Sequence, residues 1–492
     1  MSRWSRFLHV TALAVGIWVA ALPAVAQPGS PRNVVFIFTD DQRFDALGVR
    51  NDYFETPRLD RLAENGLLFE NAFVTTSLCS PSRASVLSGL YAHTHQVLDN
   101  STPMPADVPT FPQGLQVAGY ETAFVGKWHM GGASDAPRPG FDHWVSFRGQ
   151  GPYENPTLNI NGERVDRQGY TTDLLTDYAE EFLRRDHDRP FLLYLSHKAV
   201  HAPFTPAERH RGAYRDRGYR RPESMADTEE NYRGKPDWVR AQRNSWHGVD
   251  GMYDGRTDFD RFVQEYAEAS MAVDDSVGRV VDTLDELGLL ESTLLVFMSD
   301  NGFQFGEHGL IDKRTMYEAS IRVPLIVHCP ELFTGGERRS EMILNIDIAP
   351  TLLDVGGAAV PDSMHGRSFH GLLTGESDEW RDTFLYEYFW ERAFPQTPTV
   401  LGVRGDRYKL MRFHGVWDRY ELYDLETDPD ERHNLLGDIR LETQVGAIDR
   451  QIAARATPEV ADLFARLSDR LNELLTETGA LDEPTWLGTP SR

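Results

Sequence analysis

The chain has 492 residues, 40% of them hydrophobic, with Trp 10, Tyr 18 and Phe 26; it is long enough to bury a large core, and it shows no repeat period and no low-complexity tract, which excludes solenoids and disordered proteins. The formal net charge of −25 at pH 7 argues against nucleic acid or an anionic membrane as partner. It does not exclude an anionic substrate, because a local cluster of Lys, Arg, His and metal can reverse the sign inside one cleft.

Residues 1–26 read as a leader. Arg3 and Arg6 precede an apolar stretch from Val10 to Leu22, and Ala24-Val25-Ala26 precede Gln27. That is a secretory signal cleaved after about Ala26, too short and too early for a membrane anchor. Losing Arg3 and Arg6 takes the charge from −25 to −27. No later run reaches the roughly 20 apolar residues that span a bilayer. The expectation is a soluble protein, secreted or periplasmic. Of the two cysteines, Cys329 ends an apolar run and reads as a buried free thiol, so no disulfide to Cys79 is expected.

Asn33 to Phe38 is a β-branched and aromatic run that ends in Thr39-Asp40-Asp41, a buried strand delivering two carboxylates at its C-terminal end. Thr56-Pro57 opens a helix that Gly66 closes. Further strands are expected at Leu67 to Val74, Glu121 to Val125, Phe191 to Ser196, Leu294 to Met298 and Pro324 to Val327. Helices are expected at Thr110 to Val117, Thr172 to Arg184, Asp260 to Leu287 and Ile346 to Val355. This alternation predicts an α/β fold with a mostly parallel sheet sandwiched by helices, and ligands beyond the strand C-termini. Residues 205–257, rich in Arg, Asp, Gly and Tyr, break the pattern and read as a surface excursion or lid. Residues 27–375 form the expected catalytic domain. From 376 to 492, short strands at Thr383 to Trp390, Thr399 to Val403, Tyr408 to Phe413 and Tyr420 to Leu425, then a helix from Pro458 to Thr476, predict a smaller antiparallel-sheet subdomain.

The chemistry starts at Cys79-Ser80-Pro81-Ser82-Arg83. Pro81 suits the first turn of a helix and Gly89 its end, which sets Cys79 at a helix N-terminus where negative charge is favoured. Arg83, four residues on, shares its face. Asp40-Asp41 and Asp300-Asn301 each end a predicted strand; taken singly, each is as readily a turn or helix-cap pair. Gly126-Lys127-Trp128-His129 sets two basic groups at another strand end. His197 and His201 follow the strand ending at Ser196, and Lys313 and His308 lie together in the run from Gly306 to Lys313.

The Cys-x-Pro-x-Arg segment resembles the signature of the formylglycine-dependent (type I) sulfatases of the alkaline phosphatase superfamily. The similarity extends from about Asn33 to Leu435. It implies an alkaline-phosphatase-like fold and oxidation of Cys79 to 3-oxoalanine (formylglycine) by a separate formylglycine-generating enzyme. The aldehyde hydrate attacks sulfur, a covalent sulfate intermediate forms, and loss of the second hydroxyl proton expels sulfate. By the same resemblance Asp40, Asp41, Asp300, Asn301 and the modified Cys79 ligate a metal. Oxygen-only ligands favour Ca2+ and admit Mg2+. Lys127, His129 and Lys313 match the positions that hold the sulfate and the hydrate, and Arg83 the one that stabilises the hydrate oxygen. His201-Ala202-Pro203-Phe204 resembles the His-x-Pro-Phe element, whose histidine donates to the leaving oxygen. His197 reads as structural or substrate-side; His308 either contacts the leaving group or braces its loop.

The run Pro137 to Asp142, with Trp144 to Phe147 and Gly149 to Tyr153, is similar to bacterial carbohydrate sulfatases of the N-acetylglucosamine-6-sulfatase group. It implies a sulfated sugar or polysaccharide as substrate, and aromatic residues with Arg, Asn and Gln suit sugar faces and hydroxyls, although an ordinary surface loop competes with that reading. The alternatives are a phosphonate monoester hydrolase or phosphodiesterase with the same formylglycine, and a non-catalytic sulfated-glycan-binding protein. A metal-dependent phosphatase or phosphoglycerate mutase relative needs a Ser or Thr nucleophile and a two-metal histidine set that the sequence lacks.

Overall fold

Asn33–Thr39 (β1) alternates its side chains between two cores: Val34, Phe36 and Phe38 enter one, Val35 and Ile37 the other. A strand that is apolar on both sides persists where both faces of its sheet are covered, and β1 lies inside a ten-stranded sheet. The computed structural model describes residues 32–255, 258–414, 420–437 and 448–480; the leader and its cleavage site lie outside them. The other strands of the sheet are Leu67–Phe73 (β2), Glu121–Lys127 (β3), His143–Phe147 (β4), Thr157–Ile160 (β5), Glu163–Asp166 (β6), Phe191–Ser196 (β7) and Thr293–Ser299 (β8). After a two-stranded ribbon of Gln304–Phe305 (β9) and Ile311–Asp312 (β10) come Leu325–His328 (β11) and Glu337–Leu344 (β12).

The order is β12-β2-β11-β8-β1-β7-β3-β4-β5-β6. The central run from β8 to β4 is parallel. β11 runs antiparallel to β8 and β2. Its hand has a local cause: between β8 and β11 the chain holds only short elements, and without a crossover helix a returning strand runs backwards. One face is covered by Pro57–Asn65 (α1), Thr171–Leu183 and the 28-residue helix Phe259–Glu286. The other is covered by Cys79–Ser88 (α2), Phe111–Val117 and Ile348–Val355. All ten residues of α2 are buried, and Gly89 closes it in the left-handed region (φ 69°) with its N–H donating to Ser85 O.

At Gly126 β3 and β7 come close enough to exclude a side chain. Gly126 pairs with Ser196, has φ 129°, and a Cβ there would stand 1.8 Å from the Ser196 carbonyl oxygen.

The second sheet is antiparallel, in the order Thr383–Tyr388 (β13), Thr399–Gly405 (β14), Tyr408–His414 (β15) and Tyr420–Asp424 (β16). The helix Pro458–Glu477 buries Leu463, Phe464, Leu467, Leu471, Leu474 and Leu475. A buried ionic cluster ties this sheet to the segment after β10. Lys409 Nζ donates to Met316 O (2.8 Å) and Glu431 Oε1 (2.7 Å) and pairs with Glu318 Oε1 (2.6 Å). Lys235 donates to Glu431 O (2.8 Å) and to Tyr423, and Glu421 accepts from Tyr317 (3.0 Å).

One expectation is corrected. Trp144 and Phe147 belong to β4 and are buried, Trp144 stacking on Phe124 (4.7 Å between centroids), so they face the core and not a sugar. Within 205–257 the chain forms short helices, among them Glu229–Tyr232 and Asp237–Ala241.

Candidate active site

Four adjacent strand ends converge. β1 delivers Asp40 and Asp41, β8 Asp300 and Asn301, β7 Ser196 and the residues after it, and β3 Lys127, with His129 beyond. The first turn of α2 brings Cys79 into the same crevice, its Sγ 3.6 Å from Asp40 Oδ1. Arg83, one turn along, is 1% exposed. Its guanidinium donates from Nε to Asp300 Oδ2 (2.8 Å) and from Nη1 to Lys127 O (2.9 Å) and Ser196 Oγ (2.7 Å). Lys127 pairs with Asp40, and Lys313 with both oxygens of Asp41 at 2.6 Å.

The carboxylates of Asp40, Asp41 and Asp300 can all place an oxygen within 4.8 Å of one another. Such crowding costs free energy in the charged form. Burial, opposed by Lys313 and reinforced by Asp40 and Asp300, pushes the Asp41 carboxyl up to about 7. At Asp40 burial acts the same way, but Lys127, His201, Arg83 and Lys313 outweigh it and hold that carboxyl low. Asn301 donates to Asp41 Oδ1 (2.7 Å), while its own Oδ1 is buried with no donor. Three clustered carboxylates plus an unsatisfied amide oxygen suit a hard divalent cation, which accepts only oxygen donors of this kind. The residues therefore fit the metal that the sequence resemblance implies. No histidine pair typical of a two-zinc site accompanies the three carboxylates among the described residues.

Cys79 is fully buried, and burial pushes its thiol far above the usual range. An unmodified thiol here stays protonated and is a poor nucleophile. Burial, with Lys127, also keeps the His129 ring neutral; its Nδ1 lies 3.2 Å from Ser80 Oγ. His201 is likewise held neutral by burial and Lys313. Its Nδ1 donates to Ala202 O (2.5 Å), which leaves Nε2 as the free nitrogen, 3.8 Å from Asp41.

His129, His201 and Lys313 open into a cavity of about 500 Å3. Its wall includes Asn100, Gln150, Asp312, Arg314, Phe394 and, from the 205–257 excursion, Trp246, His247 and Tyr253. Trp246 is 46% exposed. Arg314 is fixed by Asp312, by Glu391 (2.8 Å) and over the Phe394 ring (4.0 Å). His197 and His308 stand outside this lining. His197 Nε2 meets Ser276 Oγ (3.0 Å) on the long helix. His308 stacks on Tyr317 (3.9 Å), and its carbonyl accepts from Tyr232. Each braces a loop. Asp312 and Arg314, which sequence reasoning passed over, flank Lys313 directly. Lys198 lies between the two histidines that were singled out. Trp246 and His247 had no signal, because no pattern organises their segment.

Fold and site together define a hydrolase of the alkaline phosphatase superfamily, with an acidic cluster that could hold a metal ion. The sulfatase family profile matches residues 32–358, and that of the N-sulphoglucosamine sulphohydrolase C-terminal region matches 306–457. The N-acetylglucosamine-6-O-sulfatase of Bacteroides thetaiotaomicron is 32% identical over 465 residues, covering 82% of each chain. The N-acetylglucosamine-6-sulfatase of Capra hircus is 33% identical over 405 residues, 76% of this chain and 69% of the relative. A solved structure of a protein in complex with its substrate D-glucosamine-2-N,6-O-disulfate superposes with a TM-score of 0.81 at 30% identity, over 92% of this chain and 99% of that one. The chain belongs to the sulfatase family, and its activity is that of a sulfuric ester hydrolase.

Proposed function

We propose that this sulfatase is exported and removes sulfate from a glycosaminoglycan-type sugar, N-acetylglucosamine 6-sulfate or a related glucosamine sulfate, with formylglycine at position 79. The observation that carries the reading is the convergence of Cys79, three carboxylates, Arg83, Lys127 and Lys313 beside a cavity that His129, His201 and Lys313 line together with polar and aromatic side chains. The activities of the two N-acetylglucosamine-6-sulfatases and of the disulfate-bound protein support the sugar class. The leader at 1–26 supports export. Residues 27–375 carry the chemistry, and 376–492 buttress the Lys313 segment.

Asp40, Asp41, Asp300 and Asn301, with residue 79, would hold Ca2+, or Mg2+, which supplies Lewis-acid stabilisation of charge on oxygen. Formylglycine at position 79, made by a formylglycine-generating enzyme, would supply a hydrated aldehyde as the oxygen nucleophile toward sulfur. Arg83, locked by Asp300 and Ser196, points its charge at residue 79 and stabilises negative charge there. Lys127 and Lys313, paired here with Asp40 and Asp41, are the ammoniums that would bind sulfate oxygens. Neutral His129 would take the proton that the nucleophile at residue 79 gives up. His201, its Nδ1–H fixed on Ala202 O, lines the cavity and would donate to a leaving oxygen from Nε2 only after taking up a proton there.

The test is matured enzyme screened against defined sulfated mono- and oligosaccharides, in parallel with a chromogenic sulfate ester and a chromogenic phosphodiester, with mass spectrometry of the peptide containing Cys79. The expected result is an aldehyde at 79 and preferred turnover of a 6-sulfated glucosamine. Preference for the phosphodiester would favour the phosphonate-hydrolase alternative. An intact thiol in protein from the native host, with no turnover, would favour a glycan binder.

A further inference from the structure

Lys198 is 4% exposed, and among the described residues no ion pair or hydrogen bond reaches its ammonium, which keeps a narrow contact with solvent. Its Nζ lies over the face of the Tyr153 ring, 4.3 Å from the centroid. Buried lysines are ordinarily paired. The other buried lysines of this protein follow that rule: Lys127 on Asp40, Lys313 on Asp41, Lys409 on Glu318 and Glu431, Lys235 on Tyr423 and Glu431 O.

The position of the unpaired charge is fixed by the backbone around it. Ser196, two residues earlier, holds Arg83. Ala199 O accepts from Asp40 N (3.0 Å), Val200 N donates to Asp40 O (2.7 Å), and His201 O accepts from Tyr153 (2.9 Å). Lys198 thus sits on a segment stitched to the metal-ligand strand on one side and to the cavity histidine on the other. Burial and then the charge of Lys127 push its pKa down to about 8, with Asp40, Asp41 and Cys79 partly opposing. The ammonium is therefore kept at a cost, within the electrostatic reach of the nucleophile, while both nearby aspartates are engaged by other cations.

We propose that Lys198 is a third substrate-binding ammonium of this site, beside Lys127 and Lys313, and that its missing partner is an anionic oxygen of the scissile sulfate group. The proposal rests on the assignment of Cys79 as the reacting position. A charge-assisted hydrogen bond made only when sulfate arrives reconciles two facts: the residue is buried, and no group among the described residues pairs with it.

The test compares matured wild-type enzyme with K198M and K198R, reading kcat and KM on a chromogenic sulfate ester, competitive inhibition by inorganic sulfate, and Tm with and without sulfate. K198M is expected to raise KM and the sulfate inhibition constant by roughly 10–100-fold, to abolish most of the sulfate-induced rise in Tm, and to keep a sulfate-free Tm equal to or above wild type, because an unpaired buried cation is gone. K198R is expected to recover part of the sulfate affinity. Unchanged sulfate inhibition in K198M overturns the proposal, as does a lower sulfate-free Tm or failure to fold, which would make Lys198 a structural cation perched on Tyr153. If wild type binds sulfate but does not turn over the ester, the chemistry assigned to position 79 fails while the Lys198 reading is still decided by the Tm and binding arms.

Discussion

Two clusters of buried charge lie within the fold, and they differ in how completely they are satisfied. The cluster joining β15 and β16 to the segment after β10 closes on itself: Lys409 meets Glu318, Glu431 and a carbonyl, Lys235 meets Tyr423 and a carbonyl, and Glu421 meets Tyr317. The cluster at the ends of β8, β1, β7 and β3 does not. It keeps an amide oxygen without a donor at Asn301, an ammonium without an anion at Lys198, and a carboxyl at Asp41 whose burial raises it to about 7. Both clusters pay the desolvation cost of burial. A group of charges that is complete without help holds structure, whereas one with valences left over is waiting for a ligand.

The contrast is broken most strongly at Cys79. Cys79→Ala in the crevice is expected to reduce kcat by three or more orders of magnitude, about what loss of a nucleophile costs, with Tm nearly unchanged; a chromogenic sulfate-ester assay and a thermal melt read the two quantities. Next comes Arg83→Met, expected to lower kcat by ~100–1,000-fold, as for removal of a preorganised stabiliser of anionic charge, and to destabilise as well, since Asp300 loses its buried partner. Metal removal is third. Chelation is expected to abolish activity reversibly, with Ca2+ restoring it, and added ion should raise Tm by an amount equivalent to about 2.7 kcal/mol at a hundred times its Kd. The chelated protein should stay folded, because Lys127 and Lys313 already neutralise Asp40 and Asp41. The opposite pattern is expected in the closed cluster. Lys409→Met should cost about 3–5 kcal/mol in denaturant unfolding, while the kcat of the folded fraction falls far less than in Cys79→Ala. If Lys409→Met left stability intact and removed turnover, the distinction between the clusters would collapse.

Much of this was readable in the chain. β1, β7 and the flanks of α1 announce themselves through apolar runs and a Thr-Pro/Gly pair, and the strand-end placement of Asp40, Asp300 and Lys127 follows from that periodicity alone. β12 was not readable: its sequence ERRSEMIL is polar and exposed over its first half, as an edge strand permits. Trp144 was misread because an aromatic near Arg, Asn and Gln looks like a sugar platform until its stacking on Phe124 is known. Trp246, which does line the cavity, comes from a segment of one-turn helices with no period to detect. His197 and His308 look like their neighbours His201 and Lys313 in sequence, and only the structure shows that they meet Ser276 and Tyr317 and do not line the cavity.

The seam at Gly126 has a consequence for the tolerance of the whole crevice. Even one methyl group there would collide with the carbonyl of Ser196, an atom of the neighbouring strand that cannot swing aside as a side chain would. The strands would have to part, carrying Lys127 O and Ser196 Oγ away from the guanidinium they jointly hold. The aim of Arg83 is thus set by the absence of a single carbon atom on a strand to which it does not belong.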